Sequence, residues 1–231
     1  MLPIVVIGAG AAGLTAAIFA TTGQRPVVLL ERTRDGGRKI IISGGGRCNV
    51  LPSSLSPSQY FTDSSPNTLK KMLLAWPLPE QRRFFEHELR IPLALERESG
   101  KLFPASNRAR DVRDALVQRA QRNGVDVRFN TVVNDLIAPA DGRPWRVITA
   151  SGELDAHSVV VATGGLSVPA TGSDGTGLRV LQRLGHAVGG GGDRAALEIA
   201  QQSRLDHGDV VGAGGQIAEA IIHTLAPGET V

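Results

Sequence analysis

Cysteine is nearly missing from this chain: Cys48 stands alone among 231 residues. A lone cysteine excludes an internal disulfide, a Cys-x-x-Cys redox pair and a zinc knuckle. The five histidines, at 87, 157, 186, 207 and 223, are scattered and show no metal-ligand spacing. No apolar run approaches the ~20 residues of a membrane span. The apolar N-terminus lacks a basic leader and is interrupted by Gly8, Gly10 and Gly13, so it does not read as a signal peptide. A cytoplasmic protein is the expectation. Net charge is also small, with 25 Lys and Arg against 22 Asp and Glu, and gives no case for a nucleic-acid partner. At 42% hydrophobic and 20% charged residues, the chain reads as one globular domain, or one domain with an insertion.

Glycine is the residue in excess, at 28 copies, and its placement carries the argument. Residues 3–13 read Pro-Ile-Val-Val-Ile-Gly-Ala-Gly-Ala-Ala-Gly. A β-branched run ends at Gly8, and small residues lead into a helical pattern. In a strand–turn–helix dinucleotide site, Gly8 permits the tight turn and Gly10 lets the backbone approach a pyrophosphate. Gly13 lets helix and strand pack closely, and the helix N-terminus offers free N–H groups to the anion. A second apolar run, residues 26–30, ends in Glu31, 18 residues after Gly13, the spacing of an acid that binds ribose hydroxyls. Six basic residues (Arg25, Arg32, Arg34, Arg38, Lys39, Arg47) then face only Glu31 and Asp35, a local excess beside the proposed pyrophosphate site. A solvated basic loop is the plainer reading of any one of them.

Further along, the β-branched run 40–42 leads into Ser-Gly-Gly-Gly-Arg-Cys-Asn at 43–49, read as a ligand loop rather than a flexible linker. Residues 51–66 read as a surface excursion, and 69–76, 80–89 and 111–122 as helices. A strand at 125–129 follows, then three short antiparallel strands within 132–157. Residues 158–162 form a buried strand that leaves through Thr163, Gly164 and Gly165, where open α/β sheets place their ligands. A short helix at 176–184 ends at Gly185. The fold class expected is α/β, a Rossmann-like parallel sheet with helices and a small three-stranded antiparallel insertion.

These motifs stand in the order of a known family. Residues 8–13, Gly-Arg-Lys at 37–39, the 43–49 loop, Gly-Lys-Leu-Phe-Pro at 100–104 and Ala-Thr-Gly-Gly-Leu-Ser at 162–167 are among them, as is Pro-Ala-Thr-Gly-Ser-Asp-Gly at 169–175. Together they resemble the aminoacetone oxidase family of bacterial FAD-binding proteins, over roughly residues 1–190. The resemblance implies a glutathione-reductase-like FAD fold. It assigns Glu31 to ribose, and Gly45, Gly46, Arg47 and Asn49 to the flavin or pyrophosphate, with Cys48 packed near the flavin. Val133 would meet adenine through its backbone, Thr163, Gly164 and Gly165 would pass beside the dinucleotide, and Asp174 would stand near the flavin end. Gly8, Gly10, Ala12, Gly13, Arg32, Arg38 and Lys39 complete the candidate cofactor set.

The resemblance breaks near residue 189. Family members carry a further substrate domain there, whereas here four glycines, 189–192, lead directly into 193–231. Gly208 and Asp209, with a helix at 216–225, look like the closing segment of related flavoproteins, in which the aspartate holds the ribityl chain. Residues 197–203 read as helical rather than as the strand that should precede it. The leading expectation is therefore an FAD-dependent oxidoreductase, with a small-molecule substrate or electron acceptor and NAD(P)H as a candidate donor. Two rivals stand beside it: an NAD-dependent dehydrogenase without flavin, and a truncated, non-catalytic flavin- or partner-binding module. No catalytic side chain is assigned.

Overall fold

Ile4–Ile7 forms β1, the central strand of the molecule, in a computed structural model that describes residues 1–56, 66–166, 174–186 and 223–225. It pairs in parallel with β2 (Val27–Leu30) on one side and with β10 (Ser158–Val161) on the other. The short strand β6 (Asp126–Arg128) extends the sheet beyond β2, and β11 (His223–Leu225) closes the far edge against β10, running antiparallel. The order is β11-β10-β1-β2-β6. Strands covered on both faces are expected to be continuous apolar runs, as β1 and β2 are, and as β10 is after Ser158.

Side chains alternate across a strand, so each face of the sheet collects its own core. Val6 and Leu29 point to one side, where α1 (Ala11–Ala20) and α5 (Ala109–Arg122) supply Leu14, Ala17, Val112 and Leu116. Val5, Ile7, Val28 and Leu30 point to the other side. There they meet Leu136, Trp145 and Val147 of a three-stranded antiparallel sheet and Leu178 and Leu181 of α6 (Thr176–Arg183). That second sheet consists of β7 (Val133–Ile137), β8 (Trp145–Thr149) and β9 (Gly152–Ala156), the insertion expected within 132–157.

Two elements differ from the sequence reading, and a run it left unassigned finds its place. The β-branched run 40–42 is helical, within α2 (Arg38–Ile42), which starts from the left-handed Gly37 and buries only Ile40. The stretch after residue 50 is not wholly a surface excursion. Leu51 is buried in β3 (Leu51–Pro52), part of a small sheet with β5 (Lys101–Pro104) and β4 (Leu93–Glu96). Finally, the helix expected over 216–225 does not include its last three residues, which are the strand β11. The open edge of β10 presents unpaired backbone groups, and pairing satisfies them. Residues 189–215, including Asp209, lie outside the described part of the chain.

The helices α3 (Pro66–Ala75) and α4 (Leu78–Arg83) correspond to the first two expected after residue 66, and α4 runs on into a single π turn, Phe84–Glu88. That turn places Phe84 among Phe19, Trp76 and Phe85, with ring centroids 5.5 to 5.6 Å away, beneath α1. Among the described residues no helix is long and apolar enough to cross a membrane.

Candidate functional site

At the carboxyl ends of β1, β2 and β10 the chain leaves the sheet through Gly8, Glu31 and Ala162, and a cleft of about 300 Å³ opens there. The sequence-predicted residues Gly8, Gly10, Ala12, Glu31, Arg32, Arg38, Lys39, Val133, Thr163, Gly164 and Asp174 all line it. They come from five separate stretches of chain, brought together by the parallel order of the three strands.

The glycines of the first loop divide the work as their spacing implies. Gly8 has φ +103°, and a Cβ there would sit 2.5 Å from the carbonyl oxygen of Ala162. At Gly13 the conflict is sharper, 1.7 Å from the Gly8 carbonyl oxygen, so α1 can lie against β1 only without a side chain. Gly10 is different: a Cβ there would meet nothing within 4 Å. Because Gly10 lines the cleft, its missing side chain is cleft space. The first intrahelical bond of α1 runs from the Leu14 amide to the Gly10 carbonyl at 2.9 Å. The amides of Ala11, Ala12 and Gly13 therefore precede the ladder, at the positive end of the helix.

Glu31 is 8% exposed, and its carboxylate is tied into the site. Oε2 accepts the Ala9 amide at 2.7 Å, and Oε1 accepts the Thr33 amide and hydroxyl, each at 2.7 Å. An ionised carboxylate has about four acceptor positions, so one remains on Oε2. The Thr33 hydroxyl accepts from the Gly36 amide, and the Gly37 amide donates to the Ala9 carbonyl at 2.8 Å. Ala9, between Gly8 and Gly10, is thus held at both its N–H and its C=O by residues 31–37. Gly37, the first residue of the Gly-Arg-Lys motif, also lines the cleft, and Thr33 lines it without having been singled out in the sequence. So do Thr131, Val132, Asn134 and Thr176, and no motif spacing marks these positions.

Across the cleft lining, Arg32 Nη1 donates to Asp174 Oδ2 at 2.7 Å, both side chains being part-exposed. Burial pushes the Asp174 carboxyl up. Hydrogen bonds from Arg32 and from the Thr176 hydroxyl and amide outweigh it and hold the group well below the ordinary carboxylate range. Asp174 is therefore an anion throughout the neutral range.

The second glycine loop does not reach the cleft. Gly45, Gly46, Arg47, Cys48, Asn49 and Gly165 are absent from its lining, as is Gly13, which packs beneath it. Arg47 lies over the Phe103 ring at 4.3 Å and pairs with Glu96 at 2.7 Å, tying the loop to β4 and β5. Cys48 is fully buried, and burial pushes its thiol up to about 11, against a smaller opposing effect from the Ser43 hydroxyl. It is a packing residue and a poor nucleophile. Asn49 is 3% exposed, and its side-chain oxygen has no hydrogen-bond partner among the described residues.

Residues 2–205 match the family model described as the HI0933-like protein Rossmann domain. The chain belongs to this HI0933-like Rossmann family. Among curated proteins, it is 31% identical over 186 residues to the 3-dehydro-bile acid delta(4,6)-reductase of Clostridium scindens, a match covering 79% of this chain and 44% of that protein. It is also 30% identical over 182 residues to the ribosomal RNA dihydrouridine synthase of Escherichia coli, covering 78% and 44%. The chain thus spans less than half the length of these relatives. Among solved structures, the 3-ketosteroid-delta4-(5alpha)-dehydrogenase of Rhodococcus jostii RHA1 has a TM-score of 0.53 at 19% identity, covering 80% of this chain and 54% of that one. THI4 of Thermovibrio ammonificans has the same score at 16% identity, covering 79% and 62%. At such identities these two likenesses speak to the fold alone, and the fold is the Rossmann-like α/β architecture expected.

Proposed function

We propose that this HI0933-like chain binds FAD, with the ADP part in the cleft at the ends of β1 and β2, and serves a flavin-dependent oxidoreductase. The observation that carries the reading is Gly10. Its absent side chain leaves open space within the cleft, at the N-terminus of α1 and in the same cleft as a buried acid that keeps one free acceptor position. A dinucleotide fits that combination. The amides of Ala11 and Ala12 would receive the pyrophosphate, with Arg38 and Lys39 adding positive charge from the same lining. Glu31 would accept a ribose hydroxyl on Oε2, and the backbone of Val133 would meet adenine. Bound FAD would supply two-electron transfer through its isoalloxazine.

The loop at 43–49 would serve the flavin end. Its unpartnered Asn49 oxygen and the open side of Gly45 support that placement. Asp209 would contact the ribityl chain if the segment 193–231 closes the site. The reading stays at flavin chemistry rather than aminoacetone oxidation, because the two curated relatives compared above carry reductase and synthase names. NAD(P)H as electron donor is part of the proposal and rests on the motif resemblance.

The absorption spectrum of the purified chain, followed by release and chromatography of what it carries, tests the reading. Flavin bands and released FAD are expected. Released NAD, with no flavin bands, would favour the dehydrogenase alternative. The second reading, carried over from the sequence, is a flavin-binding module without turnover of its own. Bound FAD that neither NADH nor NADPH reduces, with artificial acceptors present, would support that module.

A further inference from the structure

The side chain of Arg113 on α5 is 8% exposed, an unusual place for a guanidinium that no sequence motif marks. A buried cation needs partners on every side to offset its lost hydration. Its Nε donates to Asp114, and its Nη1 donates to the carbonyl oxygens of Asp35 at 3.1 Å and Gly36 at 3.5 Å. The Asp35 carboxylate lies 3.6 Å from the same nitrogen. Two consecutive carbonyls of one turn thus point at one guanidinium.

That turn is built around Arg113. Gly36 and Gly37 both have φ +62°, and a Cβ on Gly37 would fall 2.4 Å from Arg113 Cγ. On the opposite side, a Cβ on Gly36 would fall 2.9 Å from the Ala9 side chain. The turn is therefore pressed between Arg113 and Ala9, and the Gly37 amide donates to the Ala9 carbonyl at 2.8 Å. Ala9 is the residue between the two glycines that shape the pyrophosphate end of the cleft.

We propose that Arg113 is a positioning residue for the dinucleotide. It fixes the 35–37 turn from behind, the turn fixes Ala9, and Ala9 sets the distance between the Gly10 backbone and the residues after Glu31. The proposal rests on the FAD reading above and adds to it a residue that touches no ligand. An Arg suits the place because its planar fork holds Nε on the Asp114 carboxylate while Nη1 reaches the two carbonyls of the turn, two separated positions that one ammonium nitrogen does not span.

The test uses the full chain with Arg113→Met, Arg113→Lys and, as a control on the same helix, Arg119→Met. Arg119 pairs with Glu88 at 3.0 Å and lies outside the cleft lining. Three quantities are read: FAD affinity by flavin fluorescence, ligand-free melting temperature, and amide exchange across residues 8–14 and 31–37. Arg113→Met is expected to lower FAD affinity about 10- to 100-fold, the loss that outer partners of a ligand cause at metal sites. It should also speed exchange of the Ala9 and Gly37 amides, with Arg113→Lys intermediate. Arg119→Met should lower the melting temperature while leaving affinity and loop exchange unchanged. A lower melting temperature with wild-type affinity and exchange in Arg113→Met would make Arg113 merely structural and overturn the proposal. Should that variant be insoluble, wild-type behaviour of Arg113→Lys in both readouts would overturn it equally. If the unsubstituted chain binds no FAD, the functional reading fails, and the exchange data still decide whether Arg113 holds the loop.

Discussion

Two glycine-rich loops leave neighbouring elements of this molecule, and they use glycine for different reasons. In the first, at residues 8–13, Gly8 and Gly13 are required by close backbone approach, with a Cβ falling 2.5 and 1.7 Å from a carbonyl oxygen, while Gly10 faces the open cleft. In the second, at 44–46, all three have positive φ, of +56°, +67° and +86°. Only Gly44 is crowded there, where a Cβ would fall 2.8 Å from the Phe103 ring and 3.0 Å from the Asn49 amide nitrogen. The first loop is a packing solution that leaves one window for a ligand. The second is a conformational solution, a left-handed path that ends at the buried Cys48 and Asn49. A run of glycines thus reports nothing until one asks what a Cβ would strike.

The sharpest way to break the contrast is Gly13→Ala. The Gly8 carbonyl cannot retreat without moving β1 from α1, so a loss of about 3 kcal/mol or more is expected, read as lost soluble yield or a collapsed melting temperature. A variant melting like the parent would show that the helix–strand approach is not tight. Glu31→Ala follows. It removes three hydrogen bonds that link Ala9 and Thr33, and should cost about 1–3 kcal/mol of stability even without ligand. FAD affinity should fall as well, and unchanged retention of FAD after dialysis would remove Glu31 from the ribose site.

Smaller effects are expected in the second loop. Gly45→Ala meets nothing within 4 Å, so its cost is the left-handed backbone alone, roughly 1–2 kcal/mol by denaturant titration. A loss comparable to that of Gly13→Ala would mean that the second loop is packed as tightly as the first. Smallest of all is the response of Cys48. With its thiol pushed up to about 11, the thiolate is disfavoured at neutral pH and appears only as pH rises towards that value. Iodoacetamide at pH 7.5 should leave the folded chain unmodified over hours, and rapid labelling would show that the loop opens.

Much of this was legible in the chain itself. The apolar runs before Gly8, Glu31 and Thr163 mark strands buried on both faces, and the acid 18 residues after Gly13 belongs to the same cleft. The antiparallel insertion was equally readable, because its alternation survives burial of one face only. What escaped notice had no local signal. Leu51 pairs with Leu102 across half a hundred residues of chain, and nothing near Leu51 announces that partner. The 40–42 run was ambiguous because three β-branched residues suit a strand, while the left-handed Gly37 before them begins a helix. Thr33, Asn134 and Thr176 enter the cleft through tertiary placement, and Arg113 looked like one more charge on an amphipathic helix. The resemblance to FAD-binding proteins assigned residues of the 43–49 loop to the flavin or pyrophosphate, and that loop lies outside the lining of the cleft.

The account stands most directly on Gly10. Its φ of −76° suits any residue and its Cβ direction is open, so Gly10→Val should fold and melt within about 0.5 kcal/mol of the parent. The branched side chain would nevertheless fill the space assigned to the pyrophosphate. Equilibrium titration of both proteins with FAD, followed by flavin fluorescence, decides the matter. The account predicts saturable binding to the parent, displaced by ADP, and none to a folded Gly10→Val chain. Equal FAD affinity in the two proteins would contradict it.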